Sequence, residues 1–153
     1  MASVEVELRV SASSAVVWDL LSDPTRMGDY SPECVSVRWL DDATVVAPGA
    51  RFRGNNRRGW RRWSTTCTIT QVRPQRIIAW DVAIAGMPVA SWSYELRDDG
   101  DATVVKESFT DRRGSVIKVL GGVVRGVTDV LSHNQVMMNR TLETVRVAAE
   151  TYA

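Results

Sequence analysis

Three side chains in this sequence combine hydrogen-bonding or ionisable chemistry with a position that pattern assigns to an apolar face or its rim: Glu107, Asn134 and Tyr30. Glu107 shares strand parity with Val105 and Phe109, so it points the same way as two apolar neighbours. A carboxyl on an apolar wall has its charged form disfavoured by desolvation, which suits a general acid or base. The plain alternative is a Glu on the solvent face or one paired with an arginine. Asn134 falls near the centre of the apolar stripe of a C-terminal helix. A buried amide needs a partner there: a ligand, a pocket water, or a backbone carbonyl of the sheet. Tyr30 follows a short helical segment and offers either a hydroxyl to a ligand carbonyl or a ring to the core. Glu107 and Tyr30 are the catalytic candidates.

Most other chemistries are excluded. His133 is the one histidine, its place falls outside the apolar stripe, and it is expected to be mostly exposed. No Cys/His pair has zinc spacing, and the reading includes no metal and no cofactor. There is no G-x-S-x-G elbow, phosphate loop or dinucleotide fingerprint. The two cysteines, Cys34 and Cys67, read as reduced thiols.

Aromatic residues supply the remaining candidates. Trp80 shares parity with Ile78 and Val82, and Trp92 with Tyr94 and Leu96, so both rows face the concave side. Phe52, Gly54 and Asn56 form another inward row, in which Gly54 leaves room and Asn56 adds a polar tip. Trp63 and, on the helical stripe, Met138 complete the expected ligand-binding set. Aromatic walls suit flat or acyl ligands, and they equally suit an ordinary core.

The stretch Arg51–Arg62 carries six arginines interleaved with Trp60 and close to Trp63. An acidic partner or a carrier protein can dock on such a hairpin. Charge alternation on a solvent-facing strand is the ordinary reading. With a net charge of +1 and no accompanying motif, nucleic acid is not expected.

The elements that must position these groups follow from periodicity. Val4, Val6, Leu8 and Val10 alternate with polar residues, which marks a half-buried strand. Ser13 or Ser14 can cap a helix running through Ser22, and Asp23-Pro24 starts a second, short one. Strand-like runs follow near 34–40, 50–57, 60–73, 76–85, 89–98 and 102–111, separated by turn signals such as Pro48-Gly49 and Asp98-Asp99-Gly100. From about 115 to 152 an apolar stripe at helical spacing runs to Tyr152, with Gly121, Gly122 and Gly126 on its outer side. Those glycines predict a kink or a break, and residues 113–126 read as helix or as a gating loop.

With 153 residues, 44% hydrophobic and 24% charged, one domain can bury an adequate core. No run is long and apolar enough for a membrane span, and the N-terminus lacks a signal-peptide pattern, so a cytoplasmic location is the default. The expected class is α+β: seven antiparallel strands curling around one long C-terminal helix. Curling leaves a gap beneath part of the helix.

The segment VWDLLSDPTRMGDYSPECVSV resembles the helix–helix–strand opening of the START-like (SRPBCC) superfamily. GARFRGNNRRG, WSTTCTITQVRP, WSYEL, TVVKESF and MNRTLETVRVAAE resemble its polyketide cyclase/dehydrase-like branch. The resemblance spans the chain and implies a helix-grip fold with a deep pocket for lipids, polyketides or other hydrophobic molecules. It specifies shape better than activity. Three functions therefore stand side by side: a carrier or sensor of a small hydrophobic ligand, a cyclase, aromatase or dehydratase, and an interaction module built on the arginine hairpin.

Overall fold

The computed structural model describes residues 2–114 and 129–152. Strand β1 (Ser3–Val10) leads into helix α1 (Ser14–Leu21) and a 3₁₀ helix (Pro24–Asp29). Six strands follow: β2 (Cys34–Trp39), β3 (Arg51–Arg58), β4 (Arg61–Arg73), β5 (Ile77–Ile84), β6 (Met87–Asp99) and β7 (Ala102–Asp111). Helix α2 (Val130–Tyr152) ends the described chain. The strands form one antiparallel sheet in the order β1-β7-β6-β5-β4-β3-β2. This is the helix-grip fold.

Local chemistry explains the joints. Ser13 caps α1 by accepting a bond from the Val16 N–H, and Asp23 accepts one from the Thr25 N–H at 3.0 Å, ahead of Pro24 in the first helical position. Ala85 and Gly86 both adopt positive φ between the paired residues Ile84 and Met87. That is the two-residue hairpin whose twist matches the strands. Gly28 has a different role. A Cβ there would lie 2.9 Å from the Val35 carbonyl oxygen, so only glycine lets the 3₁₀ helix sit this close to β2.

Register shifts between Cys34 and Ser36, Ile69 and Gln71, and Val82 and Ala83 bend the sheet. Its concave face packs on α1 and α2. Along α2 the buried positions are Val130, Asn134, Met138, Thr141, Leu142, Val145 and Ala149, a stripe with helical spacing. At about 1.5 Å per residue this helix is roughly 35 Å long. Glu150 accepts from the Ser11 N–H at 2.9 Å and ties the end of α2 to the exit of β1.

Two expectations need amendment. Tyr152 is 69% exposed, so the buried stripe of α2 ends at Ala149. The helix described here begins at Val130 behind Asp129, whose carboxylate accepts from the Ser132 N–H. The expected onset near 115, and the glycines at 121, 122 and 126, lie outside the described residues.

Candidate ligand-binding site

The concave side of the sheet is not completely filled. A cavity of about 290 Å³ lies between the sheet and α2, extending to the loop ahead of β2. Its walls are mostly apolar, with Trp63, Trp80, Trp92, Val82, Phe109 and Met138 among them. The register of β6 and β7 orders one wall into successive rungs. Tyr94 faces Glu107, Trp92 faces Phe109, and Ala90 faces Asp111. The Trp92 and Phe109 rings meet at 4.9 Å between centroids. The middle rung is therefore aromatic and the outer rungs carry polar groups.

The inner rung is unusual in its electrostatics. Glu107 is 3% exposed. Tyr94 donates its hydroxyl to one Glu107 oxygen at 3.1 Å, and the second oxygen, Oε2, has no partner. Burial pushes the Glu107 carboxyl up to about 8, opposed by the Tyr94 bond. At neutral pH the group is mainly the neutral acid and can donate from Oε2. Tyr94 and Tyr30 are held well above the usual phenol range, first by burial and then by the nearby Glu107. Asn134 presents an Nδ2 that is buried and unbonded, and the Tyr30 hydroxyl is likewise buried without a partner. Buried polar atoms in native proteins are nearly always satisfied, so such a group facing a cavity calls for a ligand or an ordered water.

Eight residues singled out from the sequence line this cavity: Asn56, Trp63, Trp80, Trp92, Tyr94, Glu107, Asn134 and Met138. Two do not. Phe52 is 1% exposed and packs in the core between Trp39 and Trp80, with ring centroids at 6.1 and 6.3 Å. Tyr30 is buried behind the cavity wall, and a shallow outer groove that includes Arg140 and Glu143 runs past it. Gly54 leaves less room than expected, because Thr65 on β4 occupies the space: an added Cβ would lie 3.0 Å from its Oγ1.

His133 corrects the expectation of an exposed residue. Its side chain is 21% exposed and its Nε2 contacts Glu33 at 3.3 Å and Arg58. The partners come from the loop before β2 and from the β3–β4 hairpin, which helical periodicity alone does not reveal. Arg58 and Glu33 form an ion pair with side chains 24% and 17% exposed. The hairpin arginines are thus partly engaged within the fold. Arg51 pairs with Asp41 at 2.7 Å, Arg57 donates to the Gly59 carbonyl, and Arg61 lies 4.4 Å over the Trp60 ring.

Cys34, Cys67, Thr141 and Arg113 also line the cavity and had not been singled out as ligand-contacting. Both thiols are free, and burial raises them to about 11 and about 12, so they are poor nucleophiles at neutral pH. Thr141 was detectable as the helical neighbour of Met138, four residues from Met137. Arg113 had no pattern signal, since it follows the last strand. Among the described residues no cluster of His, Cys, Asp and Glu can hold a metal, and no helix is long and apolar enough to cross a membrane.

Comparison with known proteins accords with this geometry. No curated protein matches the sequence. Among solved structures, a Nitrosomonas europaea protein superposes with a TM-score of 0.72 at 11% identity, covering 98% of this chain and 95% of that one. The di-domain ARO/CYC StfQ from the steffimycin biosynthetic pathway gives 0.73 at 12% identity, covering 98% of this chain and 51% of that one. Ara h 8.0201 gives 0.66 at 12% identity, with 99% and 96% covered. At such identities the likeness concerns the fold. The sequence itself matches a family over residues 1–143, and the chain belongs to that family, described as polyketide cyclase/dehydrase and lipid transport.

Proposed function

We propose that this protein binds a small, largely apolar molecule in the cavity beneath α2 and acts as its carrier or sensor. The observation that carries this reading is the cavity itself: about 290 Å³ of space, walled by aromatic and aliphatic side chains, with Glu107 and Asn134 in its lining, each holding a buried polar atom that has no partner. Ligand sites typically have this size and this sparse polar decoration. Burying about 300 Å² of apolar ligand surface yields roughly 7 kcal/mol gross. After association costs, micromolar affinity follows. Native mass spectrometry of freshly purified protein tests the reading. A co-purified small molecule, displaced by an apolar dye, supports it; a protein that neither carries a molecule nor binds such a dye refutes it.

A second reading is favoured by Glu107 alone. A cavity-facing carboxyl titrating near neutrality can move a proton to or from a reactive chain, as a cyclase, aromatase or dehydratase requires. Loss of turnover on a carrier-bound polyketide chain in Glu107→Gln, with ligand binding retained, would support the enzyme. Absence of turnover in the wild type would leave the carrier. No role is given to the arginine hairpin, since Arg51 and Arg58 already hold Asp41 and Glu33.

A further inference from the structure

Arg113 follows β7, and its guanidinium folds back onto Asp111. Nε and Nη2 bond the two Asp111 carboxylate oxygens, each at 2.9 Å, and the Arg113 backbone N–H adds a third bond at 3.0 Å. The two side chains are 7% and 6% exposed. Neighbouring backbone bonds hold them in place: the Asp111 N–H donates to the Ala2 carbonyl and the Arg112 N–H to the Val89 carbonyl. This fork uses two of the three guanidinium nitrogens. The third, Nη1, is buried, has no partner, and belongs to a side chain that lines the cavity. A guanidinium nitrogen can only donate.

Asp111 and Glu107 lie on the same inward row of β7 with Phe109 between them. At roughly 3.3 Å per residue their Cα atoms are about 13 Å apart. The wall therefore runs from Glu107, across the Trp92–Phe109 rings, to Arg113. Asp111 occupies the two-pronged face of Arg113, so Nη1 remains as a single donor nitrogen, which suits one carbonyl oxygen better than a second carboxylate fork.

We propose that Arg113, oriented by Asp111, is a second ligand anchor at the opposite end of the cavity wall from Glu107, and that it binds a neutral carbonyl oxygen of a ketone, ester or thioester. The inference rests on the ligand-binding reading above and narrows it. The ligand is an apolar body bearing hydrogen-bond acceptors toward both ends.

The test uses the full chain and two probes: the neutral apolar dye N-phenylnaphthylamine, and a twelve-carbon diketone with a carbonyl near each end. Dye emission and tryptophan quenching report binding, since Trp63, Trp80 and Trp92 line the site. The wild type binds both. The double substitution Asp111→Leu with Arg113→Met removes both charges of the fork together, so neither is left facing the other's vacancy. It weakens the diketone about tenfold more than it weakens the dye. Arg113→Lys retains a cation beside Asp111 without the fork, and it gives the same selective loss should the double variant fail to fold. The inference is overturned if the diketone does not bind a dye-competent wild type, if both variants bind it normally, or if the twelve-carbon dicarboxylate binds the wild type more tightly. A wild type that binds neither probe overturns the underlying ligand-binding reading instead.

Discussion

Tyr94 donates its hydroxyl to Glu107 across 3.1 Å, and the two residues face each other on adjacent strands inside the cavity wall. This single bond does not offset the burial of the carboxyl, so the charged form remains disfavoured. A proton-bearing acid at the inner end of an apolar hollow is the consequence.

Glu107 couples stability to pH. Its folded-state value is raised to about 8, above the ordinary 4.5, so the unfolded chain releases this proton first. The folded state holds more protons between those values, and stability falls as pH rises through that window. The loss contributed by this group is roughly 3 kcal/mol by pH 7. Urea unfolding of the wild type should show the midpoint dropping from pH 5 to pH 8. Glu107→Gln should flatten the curve; parallel curves for the two proteins would contradict the assignment.

Asn134→Leu removes a buried Nδ2 that has no bonding partner. The ligand-free protein should gain about 1 kcal/mol, because an unpaired donor no longer has to be kept from water. Ligand affinity should fall in the same variant. Denaturant titration together with dye and diketone binding reads both effects, and a loss of stability would mean that the amide is satisfied in solution.

Gly28→Ala places a methyl 2.9 Å from the Val35 carbonyl oxygen, a backbone atom that cannot rotate away. The 3₁₀ helix must shift from β2, at a cost of about 1–3 kcal/mol. Tyr30 lies at the end of that helix, so its ring resonances should move as well. Unchanged thermal unfolding would rule out the close approach.

Arg58 bridges the β3–β4 hairpin to Glu33 and His133 in a partly buried setting. Arg58→Gln should cost about 1–2 kcal/mol, since it removes one charged partner from the half-buried Glu33. Arg57→Gln, at an exposed site where the side chain donates to the neighbouring Gly59 carbonyl, should cost less than about 0.5 kcal/mol. Equal effects would show that the hairpin is held by its strands alone.

The alternation in β1, the hairpin turns and the helical stripe of α2 were all legible in the sequence, because side-chain period and turn chemistry are local properties of the chain. Parity also placed Glu107, Trp80, Trp92 and Tyr94 on the concave face, since no bulge intervenes between Tyr94 and Leu96 or between Val105 and Phe109. Parity could not separate wall from core. Phe52 shares its row with Asn56, yet it is enclosed by Trp39 and Trp80 while Asn56 reaches the cavity. Arg113 and His133 were beyond any local signal. The closing of the sheet on α2 puts a cavity beside Arg113, whose partner Asp111 is only two residues away, and brings the distant Glu33 and Arg58 to His133. Sequence thus determined which faces are apolar and in what order the elements come. Tertiary structure decided which of those apolar positions close on one another and which border empty space, because that depends on how far a bent sheet stands from its helix.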